Sequence, residues 1–153
     1  MPLRFDLGPF EELHMGTCVI KNSHQRSLFI VEGDMPILQG KDVLAEQAVS
    51  NPVERLYHCI QQMYLERASD KYQGKYLQST AQAMSADPTI HEALQMVDSL
   101  IRKGNFYKAL KSLKQFIRPD AFVVKQRPSA TYSPRANGWK PNRLPRMADA
   151  SEA

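Results

Sequence analysis

The chain has little of what a catalyst, a membrane protein or a disulfide-stapled domain is built from. Two cysteines in 153 residues, Cys18 and Cys59, cannot form a framework of bridges, and both are read as buried thiols. The four histidines, His14, His24, His58 and His91, show no HExxH spacing. His58 and Cys59 are adjacent, but neighbouring helical side chains point in different directions, so no metal is expected. No G-x-S-x-G elbow, P-loop or G-x-G-x-x-G is present. Glu11 and Glu12, as neighbours on a strand, would face opposite sides of a sheet and cannot work as an acid–base pair. The expectation is therefore a protein that is not an enzyme and needs no cofactor. No apolar run approaches the roughly twenty residues of a membrane helix. Acids stand where a signal peptide would carry its apolar core, so a cytoplasmic chain away from the membrane is expected.

What the chain does carry is a change of period near residue 50. Leu3, Phe5 and Leu7 alternate with Arg4 and Asp6, the two-residue repeat of a half-buried strand, until Gly8-Pro9 breaks it. Thr17 to Ile20 run into the turn-prone Asn22-Ser23-His24-Gln25, and Ser27 to Val31 follow. This predicts strands over Leu3–Leu7, Cys18–Lys21 and Ser27–Val31, the last two joined as a hairpin. The unbroken apolar run from Leu28 to Val31 predicts burial on both faces of that strand.

Beyond Ser50, apolar residues recur every three or four positions. Asn51, Pro52 and Glu54 read as an N-cap, a first-turn proline and an acid at the third helical position. Val53, Leu56, Tyr57, Ile60, Met63 and Tyr64 then form one stripe. Lys71 to Met84 keeps helical spacing through Tyr72, Tyr76, Thr80 and Ala83, although Gly74 lowers helix propensity by about 1 kcal/mol. Asp87-Pro88 starts another helix, with Ile90, Ala93, Leu94, Val97, Leu100 and Ile101 on its apolar side. Gly104-Asn105 ends that helix and caps one carrying Phe106, Ala109, Leu110, Leu113, Phe116 and Ile117, which Pro119 stops. So short a link predicts a helical hairpin.

After Pro119 the pattern disappears. From Ala121 to Met147 the basic residues Lys125, Arg127, Arg135, Lys140, Arg143 and Arg146 meet no acid, and four prolines interrupt any regular element. Such a segment buries too little apolar area to offset its ordering entropy, so a disordered tail is expected. Residues 1–120 hold fourteen basic and fourteen acidic residues, which places the whole excess of +4 in the tail. The fold class that follows is α+β: a small N-terminal antiparallel β-sheet (1–48), an α-helical bundle or hairpin (49–118) and a disordered basic Pro-rich tail (119–153). Strands so few and short leave open edges, so a homodimer, or a sheet docked on the helices, is expected.

Met1-Pro2-Leu3-Arg4, Ile20-Lys21-Asn22, Gly33-Asp34-Met35-Pro36-Ile37-Leu38, Lys41-Asp42-Val43-Leu44, Pro52-Val53-Glu54-Arg55-Leu56-Tyr57, Met63-Tyr64-Leu65 and Gly104-Asn105-Phe106-Tyr107-Lys108-Ala109-Leu110 run in order through the chain. This set resembles the FlbT family of bacterial flagellar regulators over residues 1–118. The resemblance implies a post-transcriptional regulator of flagellin synthesis. Its implied target is the 5′ untranslated region of flagellin messenger RNA, whose decay such proteins commonly promote. Phe10 to Gly16 followed by a hairpin, and Gly40-Lys41-Asp42-Val43-Leu44 leading out, are also similar to the carbon storage regulators, small dimeric β-proteins that bind messenger RNA leaders. That second resemblance implies an RNA surface on the first and last strands, with Arg4 on the one and Lys41 just after the other. Leu7-Gly8 stands where that family tends to have paired arginines.

Two readings follow. In the first, the sheet and its loops bind a flagellin mRNA leader, with Arg4, Lys21, His24, Arg26 and Lys41 as phosphate or base contacts. The tail adds sequence-independent attraction through Arg127, Arg135, Trp139, Lys140 and Arg143, by counterion release and, at Trp139 and Tyr132, by base stacking. In the second, the helical hairpins offer a groove to an amphipathic segment, making the chain a chaperone or adaptor for flagellar regulatory or export proteins. Isolated basic residues on a strand are usually solvated, a short basic Pro-rich tail is often a plain linker, and an aromatic stripe is usually core. Salt separates the two readings, because only RNA binding should weaken steeply with it.

Overall fold

The computed structural model describes residues 2–122, and its topology turns on Asn22, a polar side chain only 5 % exposed. The Asn22 amide nitrogen donates to the carbonyl oxygens of Leu7 (2.9 Å), Gly8 (2.9 Å) and Gln25 (2.8 Å), and Oδ1 accepts the Ser23 N–H at 2.9 Å. Backbone bonds from Phe10 N to Ser23 O and from Asn22 N to Glu11 O, each 2.9 Å, close the same junction. These polar groups are satisfied only if the chain turns a corner there. Strand β3 (Cys18–Lys21) therefore pairs with β2 (Glu12–Met15), and β4 (Ser27–Val31) crosses over to pair antiparallel with β1 (Leu3–Leu7). This overturns the expected hairpin between Cys18–Lys21 and Ser27–Val31. A turn-rich tetrapeptide marks a change of direction, but nothing local fixes which strand the chain meets next. Gly16 makes the tight β2–β3 turn at φ +57°, a left-handed conformation glycine adopts without strain.

A fifth strand, β5 (Ile37–Gln39), lies on the other edge of β2, so the molecule has a two-stranded sheet β1-β4 and a three-stranded sheet β3-β2-β5. The sheets share a small core in which Leu7, Leu13 and Ile37 are buried and Phe5, Met15, Ile20, Phe29 and Val31 pack around them. Only one face of β4 is covered. Leu28 and Ile30, 64 % and 59 % exposed, alternate outward beside Arg4 and Asp6. The apolar run therefore does not signal two buried faces, because among the described residues no second layer packs on the far side of this sheet. Cys18 is exposed and Cys59 buried, so only one of the two thiols is inside.

The helices follow the stripes closely. Asn51 Oδ1 accepts the Glu54 N–H at 2.9 Å and starts α1 (Pro52–Glu66). Helix α2 spans Ser69–Ala86, longer than the spacing of its tyrosines required. Asp87 Oδ1 accepts the Thr89 N–H at 3.0 Å and leads through a 3₁₀ turn, Pro88–Ile90, into α3 (His91–Arg102). Gly104 at φ +79° closes α3, with Asn105 N bonded to Leu100 O at 2.8 Å, and α4 (Phe106–Lys114) folds back on α3 as a hairpin. Phe116, expected in the core, is 46 % exposed, while Ile117 beside it, also past the end of α4, is buried. The folded part also runs past 118. Pro119–Phe122 forms a further 3₁₀ turn that buries Ala121 and Phe122, and the basic tail residues after it lie outside those described.

The main core joins Leu56, Tyr57, Ile60 and Met63 of α1 to Leu94 and Val97 of α3, to Leu110 and Leu113 of α4, and to Leu38 of β5. Leu38 thus faces away from the small core and docks the three-stranded sheet on α1. Gln61 fixes that docking by accepting the Leu44 N–H at 2.8 Å and donating to the Leu44 carbonyl at 3.2 Å. Among the described residues no helix is long and apolar enough to cross a membrane.

Candidate functional site

One turn of 3₁₀ helix, Gly40–Asp42, follows β5 directly and carries Asp42 under α4. Its carboxylate is 4 % exposed. Lys111 Nζ lies 2.9 Å from both of its oxygens, and Lys114 Nζ lies 2.7 Å from Oδ1 while also donating to the Lys41 carbonyl at 2.9 Å. Lys111 and Lys114 can do this together because residues three apart share a helix face. Burial pushes the Asp42 carboxyl up, but hydrogen bonds from Lys114 and Lys111 outweigh it and hold the group below the ordinary carboxylate range. Tyr57 Oη donates to the Asp42 carbonyl at 2.5 Å, and burial drives its phenol well above the usual value. One carboxylate therefore balances only one of the two ammonium groups. The exposed Lys41 side chain adds a third cation, so this corner is net positive by two charges.

Beside that corner runs a groove of about 500 Å3 between the edge of the sheets and α4, lined by Leu3, Phe5, Met35, Ile37, Gln39, Lys41, Asp42, Tyr64, Tyr107 and Lys111. Tyr107 is 45 % exposed, and Lys111 Nζ sits 5.5 Å from the centroid of its ring. Apolar walls, an aromatic face and ammonium groups at the mouth suit a ligand that joins an anion to a flat ring.

The five candidates from the sheet are not brought together. Lys41 alone lies on the groove. Arg4 points from the outer face of β1, opposite Phe5 and Leu7. Arg26 shares that outer face but is committed to Asp6, with Nε 2.8 Å and Nη2 2.5 Å from its carboxylate oxygens. Hydrogen bonding from Arg26 lowers the Asp6 carboxyl in turn. Lys21 stands across from Glu12 in the β2–β3 register, and His24 is exposed in the Asn22 corner. The first and last strands belong to different sheets, so Arg4 and Lys41 do not share a surface. The tail candidates Arg127, Arg135, Trp139, Lys140 and Arg143 lie outside the described residues. Tyr107, Lys111 and Lys114 were not anticipated. Their signal is present in the sequence: residues 101–118 carry six basic residues and no acid, and 107, 111 and 114 fall on one helical face.

A second cleft, about 450 Å3, separates β2 and β3 from α1. Glu12, Glu46 and Glu66 line it, and Lys71 Nζ lies 3.7 Å from the Glu66 carboxylate. His14 Nε2 is 3.3 Å from Glu12 Oε2, and burial lowers the affinity of His58 for a proton. Burial likewise raises the Cys59 thiol and leaves it unreactive. Among the described residues no three His, Cys, Asp or Glu side chains are grouped to hold a metal ion.

The family model described as flagellar protein FlbT matches residues 3–123. A probable flagellum biosynthesis repressor protein FlbT of Rhodopseudomonas palustris (strain TIE-1) is 41% identical over 118 residues, which is 77% of this chain and 94% of that protein. The probable flagellum biosynthesis repressor protein FlbT 1 of Bradyrhizobium diazoefficiens is 28% identical over 118 residues, 76% of this chain and 81% of its own. The flagellum biosynthesis repressor protein FlbT of Caulobacter vibrioides (strain ATCC 19089 / CIP 103742 / CB 15) is 22% identical over 120 residues, covering 76% and 85%. No solved structure matches this chain.

Proposed function

The chain belongs to the FlbT family of flagellar proteins, and from that premise we propose that it represses flagellum biosynthesis after transcription. It does so by binding the 5′ untranslated region of flagellin messenger RNA and promoting the decay of that message. The observation that carries this reading is the corner where Lys111 and Lys114 share the single carboxylate of Asp42, with the exposed Lys41 on the same groove as the exposed ring of Tyr107. Ammonium groups supply attraction to phosphate without sequence preference, and an accessible aromatic ring supplies a stacking face for a single-stranded base. Arg4, Lys21 and His24 lie apart from this corner and would serve as outlying contacts that orient the strand, whereas Arg26 is held by Asp6. Regulation here is a binding event, and no catalytic residue is assigned.

Crosslinking in cells followed by sequencing of the bound RNA tests the reading. Flagellin leaders should be enriched over other transcripts, and their half-life should lengthen when the protein is removed. Recovery of flagellar proteins without RNA would replace this reading with that of an adaptor.

A further inference from the structure

The groove beside α4 has more shape than counterion attraction needs. Lysines on a flat surface would serve that purpose alone. Here they stand at the mouth of a recess whose size, about 500 Å3, falls within the roughly 300–1,000 Å3 of ligand pockets. The mouth is walled by the half-exposed side chains of Leu3, Met35 and Tyr107, while Gln39 brings a carboxamide, donor and acceptor together, from the end of β5. Lys111 lies over the Tyr107 ring and is itself bound to Asp42, so this neighbour of the ring is held in place before any ligand arrives. Pre-set groups cost less to order on binding than mobile ones.

We infer that this groove takes one unstacked base of single-stranded RNA. The base lies on Tyr107 with its edge at the Gln39 amide, and its phosphate is held by Lys41 at the mouth. The inference rests on the RNA-binding reading above and adds to it where, and by which groups, the strand is read. A paired duplex is excluded, because stacked bases present no face to a recess, whereas an unpaired base can be splayed into one.

The test uses the full chain and short single-stranded RNAs in which 2-aminopurine, whose fluorescence falls on stacking, replaces each base in turn. In the wild type one position should be strongly quenched. Y107A should lose that quench and weaken binding by roughly five- to a hundredfold, the range of one base–aromatic stack. Y107F keeps the ring and should keep both, and a Y107A urea midpoint close to that of the wild type shows that the loss is not a folding defect. Q39A should change the ranking among oligoadenylate, oligocytidylate and oligouridylate. Wild-type binding with Y107A unaltered in affinity and quench would overturn the groove while leaving RNA binding in place. A wild type that binds no single-stranded RNA at low salt would overturn both.

Discussion

The ring of Phe122 stands edge-on to that of Tyr57, centroids 5.1 Å apart and planes at 80°. Tyr57 in turn donates to the Asp42 carbonyl, and Lys114, one of the two lysines on the Asp42 carboxylate, lies 4.8 Å from the Phe122 ring centroid. The last buried residue described thus backs the charged corner from behind. The turn after α4 is part of the site's foundation.

Two truncations separate this packing from the basic tail. A chain ending at Arg118 loses Ala121 and Phe122 from the core and should be destabilised by about 3 kcal/mol, the low end for deleting a buried Phe side chain. A chain ending at Phe122 keeps those contacts and should match the full protein in its urea midpoint, with an unchanged slope. The longer truncation product should still lose RNA affinity at low salt, since six basic residues go with residues 123–153. Equal stability of the two truncated chains would show that Phe122 contributes nothing to the fold.

The helical half was readable because its signals are local. Asn51 and Glu54 sit three residues apart and meet through one hydrogen bond, and Gly104 takes up the left-handed conformation its place after a stripe suggests. The sheet half was readable as strands but not as pairings. Which partner β4 meets depends on Asn22 reaching Leu7, fifteen residues away, and no repeat in the sequence encodes that distance. The candidate site suffered the same loss. Lys41 was identified, yet its companions Lys111 and Lys114 lie about seventy residues further on, joined to it through Asp42, whose burial is a tertiary fact. Arg26 is exposed, but its pairing with Asp6, on another strand, has no local signal in the sequence.

Asp42→Asn should destabilise the protein by about 2–3 kcal/mol in urea unfolding. This is less than the roughly 3–5 kcal/mol of a fully buried broken pair, because solvent screens both lysines in part. The isosteric amide leaves two ammonium groups without compensation. Adding K111M removes one of them and should recover part of the loss. A double variant less stable than Asp42→Asn alone would mean that Lys111 matters for packing rather than for charge.

Acid should destabilise the protein in two stages. The proton affinity of His58 is depressed by burial, so its contribution is complete above the ordinary histidine value of about 6.5 and fades as pH falls through its lower folded value. The carboxyls of Asp42 and Glu54 are also depressed. Burial raises each, but Lys114 and Lys111 outweigh it at Asp42, as Ser50 and Arg118 do at Glu54. Their stabilisation is complete above about pH 4 and is lost below it. Urea midpoints followed from about pH 8 to 3 should decline gently and then steeply, and H58Q should flatten only the upper stage. A midpoint that rises on acidification would contradict the sign of all three shifts.

Lys41 and Arg26 allow the charged corner to be weighed against the outer face of the sheet. Both side chains are exposed, so alanine at either should change stability by no more than about 0.5 kcal/mol. Arg26 is already paired with Asp6, and an exposed pair of this kind contributes little, so R26A should barely alter RNA binding. Lys41 stands at the groove with its head group in solvent. If it holds a phosphate, K41A should weaken binding for every RNA sequence alike, and the slope of log affinity against log salt should become shallower by about 0.7. The two single variants measured on one leader RNA across a salt series decide the matter. A larger slope change for R26A than for K41A would move the interface from the groove to the outer face of β1 and β4, where Arg4 would become its neighbour.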